Sequence, residues 1–180
     1  MHRIRGLAAL GVLIGIALWL PGLCLPALAK HGIATGADIK ADDSTVREIQ
    51  STFHRAEEAM GAADLDALMA VYSEDYGNFG LTKGDMEKMW SALFARYRRF
   101  SSNHSMSRID VTSGETPTAE VTCSGSLWAT SKETGRRVSI DSWLWEVHIL
   151  VREGGEWRIR GPGKNAIMTS QFGAALHPLF

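Results

Sequence analysis

Residues 141–161 read DSWLWEVHILVREGGEWRIRG, a segment that contains three tryptophans and one histidine. Apolar side chains alternate along it as far as Val151, the triplet Glu153-Gly154-Gly155 is typical of a tight turn, and a second, shorter apolar run follows. Alternation with a period of two on both sides of a glycine turn predicts a β-hairpin. The segment therefore predicts that the C-terminal half of the chain forms antiparallel strands.

The rest of that half repeats the same pattern. Strands are predicted over 104–112, 118–130, 136–151 and 156–160, separated by short turn segments rich in Gly, Ser and Pro. Before residue 100 the period is helical instead, and three helices are predicted. The residues expected to begin them are Asp42, Asp43 or Ser44 for the first, Asp64 for the second, and Thr82 or Gly84 for the third. Gly61 is expected to end the first helix, and the second is expected to end at 73–75. Helices followed by strands indicate an α+β domain.

The N-terminus has the pattern of an export signal. A basic MHRIR precedes an apolar run over 6–20, and Ala27-Leu28-Ala29 fits a cleavage site, so residues 1–29 are predicted to be a signal peptide. An uncleaved membrane anchor is the alternative, and lipid modification of Cys24 is a weaker one. Residues 30–44 are small and polar and are predicted to be a linker. The expected location is a bacterial periplasm or the exterior.

Length and charge further limit the number of domains and the classes of partner. The chain of 180 residues suits one domain, and its net charge of −1 offers no basic surface for nucleic acid. Cleavage would leave one cysteine, Cys123, so an internal disulfide is not expected.

Two short motifs carry a family resemblance. ADLDALMAVY at 63–72, followed by Ser-Glu-Asp, and GEWRI at 155–159 resemble the nuclear transport factor 2-like superfamily, nearest to its SnoaL-like and ketosteroid-isomerase-like domains, over about 45–161. The resemblance implies a cone-shaped α+β fold, with three N-terminal helices packed in a strongly curved antiparallel sheet, an apolar pocket, and frequent dimerisation through the outer sheet face. Members include isomerases, dehydratases, cyclases and modules that only bind or assemble, so the fold does not choose a function.

Strand alternation predicts which side chains face the pocket. In the third strand the inward set is expected to be Ser139, Asp141, Trp143, Trp145, Val147, Ile149 and Val151, and the outward set Ile140, Ser142, Leu144, Glu146, His148 and Leu150. In the second strand the inward set is expected to be Ala119, Val121, Cys123, Gly125, Leu127 and Ala129. Small residues beside large rings predict room for a cavity. The predicted ligand-binding wall is Trp143, Trp145, Trp90, Met86, Cys123 and Tyr76.

Asp141 is the candidate general acid or base, because a carboxylate beside apolar rings should have a raised pKa. The resemblance implies a tyrosine or a second acid that stabilises an oxyanion. Tyr72, Tyr76 or Tyr97 is the candidate tyrosine, and His104 is the alternative helper. The alternative for Asp141 is a solvated ion pair with Arg136 or Arg137. His148 is expected at a subunit interface. No metal site is expected, since the histidines lack HxH or HExxH spacing, and no cofactor is expected.

The sequence thus favours an exported small-molecule-binding or accessory domain without catalysis of its own. The expected partners are a small apolar or amphipathic organic ligand and a second copy of the chain, with membrane contact only through an uncleaved signal segment. One alternative is a cofactor-independent isomerase, dehydratase or cyclase that uses Asp141. The other is a dimeric assembly module whose cone is filled. The structure of the tail over 162–180 is not assigned.

Overall fold

The structure is a computed structural model and describes residues 31–162. The predicted signal peptide and all but the first residue of the tail lie outside this range. The elements in chain order are β1 (His31–Lys40), α1 (Asp43–Ala62), α2 (Leu65–Met69), β2 (Gly77–Asn78), β3 (Leu81–Thr82), α3 (Lys83–Arg96), β4 (Tyr97–Thr112), β5 (Thr118–Ser131), β6 (Arg137–Glu153) and β7 (Glu156–Ile159). No helix within the described range is both long and apolar enough to span a bilayer.

A five-stranded sheet in the order β1-β4-β5-β6-β7 forms the body of the domain. The meander from β4 to β7 is antiparallel, as predicted, and β1 pairs parallel to β4 with Ile39 opposite Ile109. The sequence predicts a linker over 30–44, whereas most of that segment is strand β1. A polar edge strand has a weak sequence pattern, because its pairing depends on the backbone groups that β4 offers.

Helix-capping side chains set where the three helices begin. The Asp42 carboxylate accepts a hydrogen bond from the Thr45 amide (2.9 Å), and the Asp64 carboxylate accepts one from the Ala67 amide (3.0 Å). Thr82 and Asp85 form a capping box at the start of α3. The predicted helix starts are confirmed. The two predicted ends are not, since α1 continues through Gly61 to Ala62 and α2 ends at Met69, before 73–75.

Helix α1 lies against the inner face of the sheet. The Phe53 ring packs on rings from two strands, the Thr52 hydroxyl donates to the Trp157 carbonyl (2.9 Å), and the Ser102 hydroxyl donates to the Glu57 carboxylate (2.6 Å). These contacts join α1 to β4, β6 and β7. The helix therefore closes the inner face of the sheet over this region.

A β-bulge in β6 changes which side chains face inward. Gly125 pairs with Trp143 and Cys123 pairs with Glu146, so Leu144 and Trp145 lie opposite the single residue Ser124. One additional residue moves every later side chain of the strand to the other face of the sheet. The orientation expected from simple alternation is therefore correct at Asp141 and Trp143 and reversed from Trp145 to Leu150, whereas Val151 is buried as predicted. A second pairing shift near the start of the strand exposes Ser139, predicted inside, and packs Ile140 against the core.

The predicted orientations of four side chains are wrong because of the bulge at Trp145. Trp145, expected inside, has 68% of its surface exposed, and Val147 has 45% exposed. His148, expected on the outer face, is 1% exposed and Leu150 is fully buried. The extra residue lies in β6 and leaves the alternation of β5 unchanged, so the inward set predicted for β5 is confirmed.

The inner face is packed where the sequence predicts room for a cavity. The space above Gly125 is taken by the Trp143 indole, which would lie 2.5 Å from a Cβ atom at that position. The residues with no exposed surface include large rings and methionines: Trp90, Tyr72, Tyr76, Met86 and Met106. Small residues on β5 therefore accommodate the protein's own rings.

Replacing Gly125 with alanine tests this packing. The new Cβ atom would meet the Asn103 carbonyl oxygen at 2.2 Å and the Trp143 ring at 2.5 Å, so Gly125→Ala should lower the free energy of unfolding by about 3 kcal/mol. Urea denaturation measures the change. The matched control is Gly114→Ala in the β4–β5 turn, where an added Cβ meets nothing within 4 Å. An equal, small effect of both substitutions would contradict the close approach of Trp143.

Candidate functional site

The inner face of the sheet holds one compact group of nitrogen and sulfur atoms among the residues described. His104, Cys123 and His148 are all buried, and their potential ligand atoms lie within 4.8 Å of one another. Cys123 Sγ lies 2.9 Å from His148 Nε2 and 3.6 Å from His104 Nδ1. We call these three residues the His-Cys-His cluster.

Three adjacent strands build the cluster. Cys123 lies on the central strand β5, where Met106 and Glu146 are its neighbours in register. His104 comes from β4, two residues before Met106, and His148 comes from β6, two residues after Glu146. Residues two apart on a strand share a face, so both imidazoles reach the thiol diagonally. His148 reaches it because the bulge at Trp145 turns this part of β6 inward.

Aromatic rings enclose the cluster. The Trp143 indole Nε1 donates a hydrogen bond to Cys123 Sγ (3.3 Å), and the same ring lies 4.8 Å from the His104 ring centroid. The Phe53 ring of α1 packs at 5.2 Å from His104 and 5.7 Å from His148. The polar atoms therefore lie in surroundings that are otherwise apolar.

Burial controls the protonation of the thiol. Burial is the largest cause that raises the pKa of Cys123, the Trp143 hydrogen bond lowers it, and the Glu146 carboxylate raises it; together they bring it from 9.0 to about 12. At neutral pH the sulfur is a protonated thiol, which is a poor nucleophile. The cluster by itself is therefore unsuited to nucleophilic catalysis.

Known structures share this architecture, although no protein-family model and no curated protein matches the sequence. A ketosteroid isomerase-like protein from Erwinia carotovora atroseptica aligns at 17% identity and a TM-score of 0.52, over 67% of this chain and 94% of that one. A conserved protein from Planctomyces limnophilus aligns at 16% identity and a TM-score of 0.54, over 67% and 94%. A proposed scytalone dehydratase from Novosphingobium aromaticivorans aligns at 15% identity and a TM-score of 0.50, over 66% and 80%.

The chain has the nuclear transport factor 2-like fold. At these identities the similarity establishes the architecture. It does not transfer a substrate or a reaction.

Within the nuclear transport factor 2-like cone, the predicted catalytic residues occupy different surroundings. Asp141 pairs with Leu127 on the face of Trp143, as predicted, and its carboxylate is partly exposed and accepts a hydrogen bond from the Ser142 amide (2.7 Å). His104 belongs to the His-Cys-His cluster. The Tyr72 hydroxyl accepts a hydrogen bond from Trp90 Nε1 (3.1 Å), and its ring packs edge-on against Tyr76.

The predicted ligand-binding wall divides in the same way. Trp90, Met86 and Tyr76 belong to the packed core of the cone, Cys123 and Trp143 belong to the cluster and its shell, and Trp145 lies on the outside. An open groove of about 640 Å³ lies elsewhere, between α2, the start of α3 and β7, and is lined by Met69, Tyr76, Lys83, Glu87 and Arg158 among others. Tyr76 is the one wall residue that lines it.

Sequence reasoning missed two members of this site. Alternation along β6 predicts His148 on the outer face, and no sequence motif points to Phe53, whose ring packs on both imidazoles. The expectation that the histidines form no metal-ligand set rested on spacing along the chain. Here the donors converge across strands 19 and 25 residues apart, and short-range motifs do not report such a convergence.

Thiol reactivity tests the protonation of Cys123. The shift from 9.0 to about 12 leaves about 1000-fold less thiolate in the folded than in the unfolded protein, so alkylation at pH 8 should be slowed by at least that factor. The measurement uses the Cys24→Ser variant in the presence of a chelator, so that the alkylation observed comes only from metal-free Cys123. Equal alkylation rates before and after unfolding would contradict the burial of Cys123.

Tyr72→Phe tests whether that hydroxyl is structural. The substitution removes the acceptor of the buried Trp90 N–H, which should cost about 1–3 kcal/mol in the free energy of unfolding. Burial raises the pKa of Tyr72 above 10.0, so above pH 10 the unfolded chain loses this proton while the folded protein keeps it. The wild type should then lose stability more steeply than the variant, by up to about 1.4 kcal/mol per pH unit.

Urea denaturation at pH 8 and at intervals above pH 10 measures both effects. Tyr97→Phe serves as the matched control, since it removes a tyrosine hydroxyl from a partly exposed position. A Tyr72→Phe protein as stable as the control, with the same pH slope, would show that the Trp90 hydrogen bond contributes nothing.

Proposed function

We propose that this chain is an exported accessory domain that acts by binding and assembly rather than by catalysis, and that it forms a homodimer through the outer face of its sheet. The observation that carries the proposal is an exposed apolar patch on that face. We define the outer patch as Trp128, Leu144, Trp145 and Val147, whose exposed fractions are 37%, 66%, 68% and 45%.

The chemistry of the outer patch suits contact with itself. Its large side chains are separated by Ser124, Ser126 and Ser142, which are small and uncharged. One charged group borders it, the Arg137 guanidinium, which lies 5.6 Å from the Trp128 ring centroid. In a two-fold dimer the same surface meets its own copy, so a charged patch would repel itself while a neutral one would not. Depletion of charge and enrichment of tryptophan are also typical of the centre of protein interfaces.

The area of the outer sheet face is also consistent with a second copy of the chain as the partner. The five strands contain 10, 16, 14, 17 and 4 residues. At about 3.3 Å per residue and about 4.8 Å between strands, they make a face of about 1000 Å². A standard interface buries about 800 Å² on each partner. A second copy of this chain could therefore cover the outer patch completely.

Two observations favour assembly over the other expected functions. The inner face is filled by Trp143 and by the buried rings of the core, which disfavours an apolar ligand pocket at the centre of the cone. Of the candidate catalytic side chains, Tyr72 is engaged with Trp90 and has a raised pKa. These features disfavour an isomerase, dehydratase or cyclase. Export rests on the leader pattern of residues 1–29.

Lysine substitutions in the outer patch test the dimer. Leu144→Lys or Trp145→Lys would place two like charges in a desolvated two-fold contact, so the dimer should dissociate to monomers in sedimentation velocity. Thr116→Lys, in the exposed β4–β5 turn, adds the same charge outside the patch and should leave the dimer intact. A monomeric wild type, or a dimer unaffected by both patch substitutions, would refute this assembly.

A further inference from the structure

The His-Cys-His cluster has the composition of a metal site. One thiolate and two imidazoles are ligands that soft and borderline cations prefer, and the cluster itself contains no carboxylate of the kind Mg²⁺ and Ca²⁺ require. We propose that His104, Cys123 and His148 bind one thiophilic d¹⁰ metal ion, Cu⁺ or Zn²⁺. This proposal is independent of the dimer.

The two sulfur–nitrogen distances of the cluster are near those around a coordinated ion. With metal–sulfur and metal–nitrogen bonds of about 2.3 and 2.0 Å, a tetrahedral site has sulfur–nitrogen edges of about 3.5 Å. Cys123 Sγ and His104 Nδ1 are already 3.6 Å apart. Cys123 Sγ and His148 Nε2 are 2.9 Å apart, so seating an ion requires the His148 ring to move outward by about 0.6 Å.

The charges around the sulfur suit a bound cation. On coordination the Cys123 thiol proton leaves to solvent and a metal–sulfur bond forms, so the sulfur becomes a thiolate. Trp143 Nε1 already donates a hydrogen bond to this sulfur at 3.3 Å, and the Glu146 carboxylate is close enough to act on its ionisation. With Zn²⁺, the thiolate and Glu146 together would neutralise the two positive charges, which lowers the cost of burying the ion.

The number of ligand atoms distinguishes a Cu⁺ site from a Zn²⁺ site. Three protein ligands in a dry site complete a trigonal environment for Cu⁺, whereas Zn²⁺ takes four ligands and would add a water. The Phe53 and Trp143 rings enclose the cluster. The competing account is a hydrogen-bonded core cluster in which the thiol donates to His148 Nε2 and no ion is held.

Cobalt(II) provides a direct probe, because a thiolate ligand gives it a charge-transfer band in the near ultraviolet. The full chain would be unfolded, then refolded with and without Co²⁺, so that burial of the site does not limit entry. The wild type should take up one Co²⁺ by native mass spectrometry and show the band. Cys123→Ser should lose the band, and His148→Gln should weaken it or shift it.

Matched controls separate the cluster from other ligands. His54→Gln removes a histidine from the exposed side of α1, where it pairs with Glu58, and Cys24→Ser removes the other cysteine of the chain. Both should retain the wild-type band and stoichiometry. Trp143→Phe removes the hydrogen bond to sulfur and should weaken Co²⁺ binding by about 10- to 100-fold while keeping the band.

Circular dichroism of each metal-free variant establishes that it folds, so loss of the band reports coordination rather than unfolding. Competition with a copper(I) chelator under anaerobic reducing conditions, and in parallel with a zinc chelator, then identifies the preferred ion. X-ray absorption should give three ligands for Cu⁺ or four for Zn²⁺. A wild type that takes up neither Co²⁺ nor Cu⁺ on refolding, or a Co²⁺ band that survives in Cys123→Ser, would overturn the proposal.

Discussion

The bulge at Trp145 is the constraint on which both faces of the sheet depend. Side chains alternate along a strand, so one additional residue exchanges the inner and outer positions of everything that follows. The bulge exposes Trp145 and Val147 and buries His148 and Leu150. Its cost is a positive φ of 55° at a tryptophan, a conformation that costs about 1–2 kcal/mol. The Ser124 hydroxyl accepts a hydrogen bond from the Trp145 amide (3.0 Å) and offsets part of that cost.

Similar irregularities recur along the sheet. Pairing shifts between Arg98 and Ser101 and between Met106 and Arg108 in β4, and again where Leu127 and Trp128 of β5 meet β6. Bulges bend a strand and increase its twist, so repeated bulges allow a long sheet to wrap around α1. Curvature also determines what fills the interior. With Gly125 on β5 and Trp143 on β6, the bent sheet closes on an indole ring.

Elements whose sequence pattern acts over a few residues could be predicted, whereas features that depend on long-range pairing could not. Helix caps such as Asp64 act within three residues, and the turn at Gly154-Gly155 fixes the last hairpin, so these elements could be read from local sequence. The inner face of β5, including Cys123, followed from alternation. Strand β1 could not be predicted, because its pairing with β4 is long-range. His148 could not be placed, because nothing in WLWEVH distinguishes a bulge from regular pleating.

The polarity of the cluster also needs a physical reason, since packing alone does not require it. Apolar side chains of similar volume would fill the space between Phe53 and Trp143 without burying nitrogen atoms that need partners. Two imidazoles and a thiol there must therefore stabilise one another or bind something. In the described range Cys123 is a free thiol, so no disulfide joins the strands. An ion held by β4, β5 and β6 would link them, and because the unfolded chain lacks the site, its binding free energy would add to the stability of the fold.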